Sequence, residues 1–187
     1  IKAIKTLVEV DKDWVPSLDG TSLYIRPYIF ATDAHVGVHP AKHLTFAIIL
    51  SPVGAYYPQG IAPVKIFVEQ KYVRAVIGGT GFTKAGANYA ISLKGQEEAA
   101  EQGYVQTLWL DGVERKYEVG SMNVFFKIDG EVVTPALVGS ILGGITRMSI
   151  IELLQSKGYK VSERRLSIDE LVEAFKAGKL EEAWGTG

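Results

Sequence analysis

The sequence contains no cysteine, and this absence excludes several kinds of chemistry at once. A disulfide framework, a thiolate metal site and a cysteine nucleophile all require thiol groups. Excess charge of one sign is also lacking, because the formal net charge is −1, so no overall field attracts nucleic acid or an anionic membrane. No apolar stretch approaches the ~20 residues that span a bilayer. The first residues, Ile1 to Lys5, lack the features of a signal peptide, and a cytoplasmic protein is expected.

The residues that are present predict a globular α+β (mixed α/β) fold, in which strands and helices are intermixed without strict alternation. Hydrophobic residues make up 47% of the chain, enough for a core. Strand-like segments rich in β-branched and aromatic residues are 22–31, 42–52, 64–69, 72–77, 105–110, 123–128 and 131–134. The last two are expected to pair around Asp129-Gly130. Helices are predicted at 87–102, at 145–155 and from an N-cap at Ser167 to Gly178.

Residues 53–63 form the best linker candidate, because this segment carries two glycines and two prolines. Residues 1–52 and 64–187 are then expected to belong to different domains. Both ends of the chain are unusual. It begins at Ile1 rather than Met, and Trp184 to Gly187 resemble a glycine-rich turn between two elements. We therefore expect a fragment of a longer protein.

The three histidines, His35, His39 and His43, lie four residues apart. On a helix this spacing would stack them as metal ligands. Gly37 and Pro40 lie between them, so no helix is expected and the spacing loses its meaning. We interpret them as loop histidines and predict no metal site.

Lys84 follows the string Gly78-Gly79-Thr80-Gly81 and is a candidate for covalent chemistry. A lysine in a glycine-rich loop is normally only solvated, but glycines let the backbone approach a ligand closely. A lysine that attacks an aldehyde must be partly desolvated, so that its amine is uncharged part of the time. Dinucleotide binding is the weaker interpretation, because the string lacks the three-glycine spacing and the acidic residue of that fingerprint.

Two further candidates are an anion site and a lone carboxylate. Gly143-Gly144-Ile145-Thr146 leads into a predicted helix, where free N–H groups and the helix dipole favour an anion. An ordinary loop-to-helix turn is the simpler interpretation. Glu118 beside a strand is usually just exposed, and matters only if a nearby base must be held protonated.

Seven short segments carry a more specific pattern. They are Leu23 to Pro27 (LYIRP), Ser51 to Pro58 (SPVGAYYP), Lys84 to Ala90 (KAGANYA), Gln106 to Gly112 (QTLWLDG), Glu118 to Asn123 (EVGSMN), Leu142 to Arg147 (LGGITR) and Lys160 to Arg164 (KVSER). In this order and spacing the chain resembles the branched-chain amino acid aminotransferases. That family consists of class IV aminotransferases with the D-amino acid aminotransferase-like fold-type IV, and the resemblance implies pyridoxal 5'-phosphate as the cofactor.

The resemblance also implies cofactor-binding roles. Lys84 falls on the lysine that bonds covalently to the cofactor and moves the proton at the substrate α-carbon. Glu118 falls on the carboxylate that faces the pyridine nitrogen and helps to make the ring an electron sink. The other implied cofactor-binding residues, around the phosphate and the phenolic oxygen, are Arg74, Tyr89, Ile145 and Thr146.

For the substrate, the resemblance implies binding by Tyr24, Arg26, Val36, Val38 and Ser121. Val36 and Val38 would reach the neighbouring active site in a homodimer, and Ser121 stands where relatives often have threonine. The implied reaction moves the amino group of L-leucine, L-isoleucine or L-valine to 2-oxoglutarate, giving branched-chain 2-oxo acids and glutamate. Use of all three amino acids is expected, because an apolar pocket separates substrates that differ by one methylene only about 10–200-fold.

Relatives extend beyond both ends of this chain, with a phosphate-contacting arginine before it and a Thr-Ala step after it. Residues 1–52 are then expected to be the remnant of a small domain, and 64–187 part of the large cofactor-binding domain. The full-length protein is expected to be an enzyme, and this chain to be weak or inactive. Two alternatives remain: a D-amino acid aminotransferase or aminodeoxychorismate lyase relative, and a folded fragment without catalysis.

Overall fold

The computed structural model describes residues 1–55, 60, 62–114 and 122–187. It divides into two compact units, Ile1–Pro63 and Val64–Gly187, each of which is described by itself. Their assignment to a remnant small domain, a linker and a partial large domain stays a prediction. No helix within the described ranges is long and apolar enough to cross a membrane.

The first unit contains one helix and one antiparallel pair of strands. Helix α1 spans Lys2–Val10 and is followed by a 3₁₀ turn, Lys12–Trp14. Strand β1 (Ser22–Ala31) pairs with β2 (Leu44–Val53) along its whole length, from Ser22 opposite Val53 to Ala31 opposite Leu44. Helix α1 was not predicted, although Ile4, Leu7 and Val8 are half-buried at helical spacing.

The loop between β1 and β2 is closed at its base by Asp33, and all three histidines lie in it or at its end. One carboxylate oxygen of Asp33 lies 2.6 Å from Nδ1 of His43, and the other accepts from the N–H of Lys42 at 2.7 Å. The His43 imidazole and the Lys42 N–H hold the pKa of the Asp33 carboxyl below its ordinary value. At the far end of the loop the rings of His35 and His39 stack, with 4.1 Å between centroids.

The second unit begins with strand β3 (Ile66–Glu69), which lies parallel to β4 (Gln106–Trp109). The predicted strand at 72–77 is wrong, because the structure has no strand there. The physical reason is local: the buried carboxylate of Glu69 accepts from the N–H groups of Lys71 at 2.6 Å and Tyr72 at 3.0 Å, which turns the chain away from the sheet.

The helix predicted at 87–102 is two helices, α2 (Gly86–Ala90) and α3 (Leu93–Glu101). The break falls at Ser92, whose hydroxyl donates to the carbonyl of Tyr89 at 2.7 Å. The N–H of Ser92 bonds to the same carbonyl at 3.1 Å, in the tighter pattern of a helix end. Ser92 therefore interrupts the segment predicted as a single helix.

The rest of the second unit is a four-stranded sheet with the order β7-β6-β5-β8. The strands are β5 (Asn123–Ile128), β6 (Glu131–Pro135), β7 (Val161–Arg164) and β8 (Leu180–Thr186). The predicted β5–β6 hairpin is confirmed, and Asp129 and Gly130 have the positive φ angles (50° and 78°) of its turn.

Two of the four strands in this sheet were not predicted. Strand β7 was overlooked, and the prediction of a glycine-rich turn at 184–187 is wrong for Trp184 to Thr186, which lie in β8. Trp184 stacks on Phe125 with 5.4 Å between ring centroids, and the two residues are opposite each other in the β5–β8 register. The cross-strand aromatic pair therefore stabilises a strand that local glycine content argued against.

Helices α4 (Ile145–Ser156) and α5 (Ile168–Lys176) cover opposite faces of the sheet. Phe125 and Val132 pack with Ile151 of α4, whereas the next residues along the strands pack with α5. That second cluster consists of Phe126, Val133, Leu166 and Leu171. The period-two alternation of the strands thus produces two apolar layers, and the sheet is buried on both sides.

Replacing Ser167 with alanine is expected to lower the free energy of unfolding by about 1 kcal/mol. The Ser167 hydroxyl oxygen accepts from the N–H of Glu170 at 3.1 Å, so alanine leaves this helix-terminal donor without its acceptor. Urea denaturation measures the change. Ser167→Asp keeps an acceptor and should stay close to wild type, and an equal loss in both variants would contradict the capping role.

The Asp33 contacts predict a pH dependence in the first unit. Because the folded-state pKa of Asp33 is lowered, its stabilising contribution is present at neutral pH and is lost as the pH falls through that value. The Lys42 amide proton, followed by NMR, should titrate with a midpoint below the ~3.9 of an ordinary aspartate. His43→Ala should move the midpoint back toward 3.9, since His43 is the main cause of the shift. A midpoint that does not move would assign the effect to another group.

Candidate functional site

Lys84 lies at the end of the glycine-rich loop, directly before α2. Its Nζ donates a hydrogen bond to the hydroxyl of Tyr89 at 2.9 Å and lies 4.9 Å from the centre of the Tyr89 ring. The structure thus brings together two of the predicted cofactor-binding residues. Both side chains are exposed, so the partial desolvation expected for a reactive lysine is not provided by the described part of the chain.

The loop before Lys84 is held by the side chain of Asn88, which is 5% exposed. Its amide nitrogen donates to the carbonyls of Thr80 at 2.7 Å and Thr83 at 2.8 Å. Its amide oxygen accepts from the Thr80 hydroxyl at 2.8 Å. A single side chain from α2 therefore fixes a segment that has no regular secondary structure of its own.

The same loop passes very close to the backbone of Ser140. A Cβ atom added to Gly81 would lie 2.3 Å from the Ser140 carbonyl oxygen and 2.6 Å from Cβ of Ala75, so glycine is required for this approach. The Ser140 oxygen also accepts from the guanidinium of Arg74 at 3.3 Å. Arg74, a predicted cofactor-binding residue, is 6% exposed. It therefore lies at the contact between the Lys84 loop and the segment that leads to α4.

Helix α4 begins at Ile145 with Gly144 as its N-cap, and among the described residues no side chain caps it. Thr146 is exposed in the first turn. N–H groups at such an end, together with the helix dipole, favour an anion. The predicted anion-binding residues Ile145 and Thr146 therefore occupy a helix start with the right chemistry.

Asn123, the first residue of β5, positions this helix start. Its amide nitrogen donates to the carbonyl of Leu142 at 2.8 Å, and its amide oxygen accepts from the N–H of Gly144 at 3.2 Å. A Cβ atom on Gly144 would lie 2.3 Å from that amide oxygen, so the contact requires glycine there. Gly144 thus serves a specific contact rather than a general need for flexibility.

Arg147, in the first turn of α4, is buried at 1% exposure. Its Nη2 donates to the carbonyl of Pro135 at 3.0 Å and lies 2.8 Å from a carboxylate oxygen of Glu163. These two contacts of the Arg147 guanidinium join the start of α4 to the ends of β6 and β7.

The predicted substrate-binding residues of the first unit lie on β1 and in the loop that follows it. Tyr24 and Arg26 are two residues apart on one face of β1, and Nη2 of Arg26 donates to the Tyr24 hydroxyl at 2.6 Å. Val36 and Val38 are fully exposed in the loop closed by Asp33. Glu118 and Ser121 lie outside the described residues, so their predicted roles stay predictions.

Sequence reasoning did not identify Asn88, Asn123 or Arg147 as site-forming residues, although all three lie within matched segments. An asparagine near a glycine-rich loop was the available indication, since its short amide can bond to nearby backbone groups. The partners of Asn123 lie 19 and 21 residues away in sequence, so no local pattern could name them.

Comparison with known proteins gives consistent matches. A family model described as amino-transferase class IV matches residues 2–186. The Bacillus subtilis (strain 168) protein named branched-chain-amino-acid aminotransferase 2 is 59% identical over 189 residues, which cover 100% of this chain and 52% of that protein. The chain spans about half the length of the curated relatives it matches.

Solved structures match as well. The Escherichia coli branched-chain amino acid aminotransferase has a TM-score of 0.76 at 30% identity, with 98% of this chain and 60% of that chain covered. An aminotransferase from Brucella abortus, solved with its cofactor PLP, has a TM-score of 0.76 at 27% identity, with 100% and 63% covered.

The matches confirm the α+β class and the fold-type IV expected from the resemblance. Because the family model spans almost the whole chain, this protein belongs to the class IV amino-transferase family.

Proposed function

We propose that this chain forms the cofactor-binding centre of a branched-chain amino acid aminotransferase. The enzyme would move the amino group of L-leucine, L-isoleucine or L-valine to 2-oxoglutarate, with pyridoxal 5'-phosphate as cofactor. The observation that carries the proposal is the 2.9 Å contact between Lys84 Nζ and the Tyr89 hydroxyl. It lies on a loop joined through Ser140 to the segment that leads to the α4 start.

The residues present fit the chemistry of this cofactor. Lys84 supplies an amine for its aldehyde, and Tyr89 a hydroxyl for its phenolic oxygen. The start of α4 would supply N–H groups and the Thr146 hydroxyl for its phosphate, and Arg74, which bonds to Ser140 in the segment leading to α4, would add a cation. When bound, the cofactor supplies an electron sink for the bond that breaks at the substrate α-carbon.

Lys84 is the proposed catalytic residue, and its own geometry supports a proton-moving role. The Tyr89 hydroxyl accepts a hydrogen bond from its amine and therefore restricts the directions the amine can face. A hydroxyl at this distance can also exchange a proton with the amine. Glu118 is proposed to hold the pyridine nitrogen protonated, as the family resemblance implies.

Substrate binding is proposed for Tyr24, Arg26, Val36, Val38 and Ser121. The exposed valine side chains offer apolar surface to branched side chains, which have no polar group to recognise. In the full-length protein, which we propose to be a cytoplasmic homodimer, Val36 and Val38 would serve the partner's site. The name of the Bacillus subtilis relative at 59% identity supports branched-chain substrates over a D-amino acid aminotransferase or a lyase.

Covalent capture of the cofactor tests the proposal directly. Pyridoxal 5'-phosphate followed by borohydride should leave a reduced adduct on Lys84, found by peptide mass spectrometry, and Lys84→Ala should lose the visible absorbance band. Lys94→Ala is the matched control, because Lys94 is an exposed lysine on α3 paired with Glu97 and Glu98. An adduct spread equally over surface lysines, or absent from Lys84, would refute the assignment.

The phosphate site is tested by a pair of adjacent glycines. Gly144→Ala places a Cβ 2.3 Å from the Asn123 amide oxygen, whereas Gly143→Ala meets the end of the flexible Leu137 side chain at 3.2 Å. Gly144→Ala should weaken pyridoxal 5'-phosphate capture by up to about thirtyfold, since an anion at a helix start contributes up to ~2 kcal/mol.

The comparison ligand is pyridoxal, which lacks the phosphate. Its capture by Lys84, measured as the concentration for half-maximal adduct, should change little in Gly144→Ala. Equal weakening for both aldehydes would show that the variant disturbs the loop rather than an anion site. Gly143→Ala should capture both aldehydes at the same concentrations as the wild-type chain.

A further inference from the structure

We infer that Asn88 is a positioning residue that holds Lys84 in reach of the cofactor aldehyde, an inference that rests on the proposed function. Among the described residues, the Asn88 side chain bonds to Thr80 and Thr83, whereas the Lys84 amine bonds to Tyr89. Asn88 acts through the backbone of Thr80 and Thr83, the segment that ends at Lys84.

The Asn88 amide is fully engaged in this contact. Both of its donor hydrogens point to loop carbonyls, at 2.7 Å and 2.8 Å, and its oxygen accepts from a hydroxyl at 2.8 Å. At 5% exposure water does not replace these bonds. Loss of the amide would leave the Thr83 carbonyl without its donor, while the Thr80 carbonyl would keep the N–H and hydroxyl of Thr83. An acceptor left unmet beside a buried side chain is costly.

Besides Asn88, the N–H and the hydroxyl of Thr83 hold the loop by bonding to the Thr80 carbonyl at 3.0 Å and 2.8 Å. Residues 78–85 form no helix or strand, and Gly78 adopts a positive φ of 84°. From one side the loop is limited by the close approach of Gly81 to Ser140. From the other side it is held by Asn88, so the backbone of Lys84 is defined between two fixed points.

Helix α2 links this contact to the reactive group. Asn88 and Tyr89 are consecutive, and successive side chains on a helix point about 100° apart. Asn88 therefore faces inward to the loop backbone, while Tyr89 faces outward and accepts from Lys84. Lys84 belongs to the loop, whereas Tyr89 belongs to α2. A shift of the loop relative to α2 therefore changes the distance between Lys84 Nζ and the Tyr89 hydroxyl.

Binding of two forms of the cofactor distinguishes a residue that positions Lys84 from a residue that only stabilises the fold. Pyridoxal 5'-phosphate needs the Lys84 amine for its covalent attachment, whereas pyridoxamine 5'-phosphate carries its own amine and binds without that bond. A residue that positions Lys84 affects the aldehyde form more. A residue that only stabilises the fold affects both forms alike.

The test uses the whole chain and two variants of graded severity. Asn88→Asp keeps the shape but removes both donors, and Thr80→Val removes only the hydroxyl that donates to Asn88. Attachment to Lys84 is followed by peptide mass spectrometry after borohydride, and binding of pyridoxamine 5'-phosphate by calorimetry. Thr6→Val, an exposed position on α1, is the control and should change neither.

Asn88→Asp should weaken attachment of the aldehyde at least about tenfold more than binding of the amine form, since the new carboxylate oxygen faces the Thr80 and Thr83 carbonyls without a hydrogen to donate. Thr80→Val should also weaken attachment of the aldehyde more than binding of the amine form, by about threefold.

Equal weakening of both forms, or no weakening in either variant, would overturn the inference while leaving the proposed function intact. Failure of the wild-type chain to attach the cofactor at Lys84 would instead overturn the proposed function, and the inference with it.

Discussion

The close approach of the Gly81 backbone to the Ser140 carbonyl is the constraint on which the candidate site depends. Ser140 lies 59 residues beyond Gly81 in sequence, and this contact brings the lysine loop to the segment that starts α4. The guanidinium of Arg74 donates to the same carbonyl, so a buried cation supports the junction. Any side chain at Gly81 would push the two segments apart and separate the amine from the helix start.

Short polar side chains define three described loops that carry predicted site residues. Asn88 binds the loop before Lys84, Asn123 binds the segment before α4, and Asp33 closes the loop that presents the valines. In each case the side chain bonds to backbone N–H or C=O groups that no strand or helix satisfies. This arrangement places irregular segments accurately without a large apolar core beneath them.

The features predicted correctly from sequence are those decided within a few residues. The Asp129-Gly130 turn requires positive φ at both positions, and the Ser167 cap requires an oxygen three residues before an N–H, so both can be found by inspection.

The incorrect predictions concern elements that depend on contacts between residues far apart in sequence. Strand β8 depends on Trp184 stacking on Phe125, some 59 positions away, and its glycine-rich sequence alone predicts a turn. The glycine-rich loop distinguished Lys84 from the other lysines, but its predicted role as the cofactor-binding lysine came from the family resemblance.

A lysine that reacts with an aldehyde has two requirements, a defined position and partial desolvation. The contacts of Asn88 with the loop and of Tyr89 with the amine define the position of Lys84 within one unit. Attack on the aldehyde and later proton transfer both need an amine that is uncharged part of the time, which is a matter of desolvation. The described residues leave Lys84 exposed, so they supply the first requirement without the second. Under the proposed function, a chain with about half the length of its relatives is therefore expected to be weak or inactive.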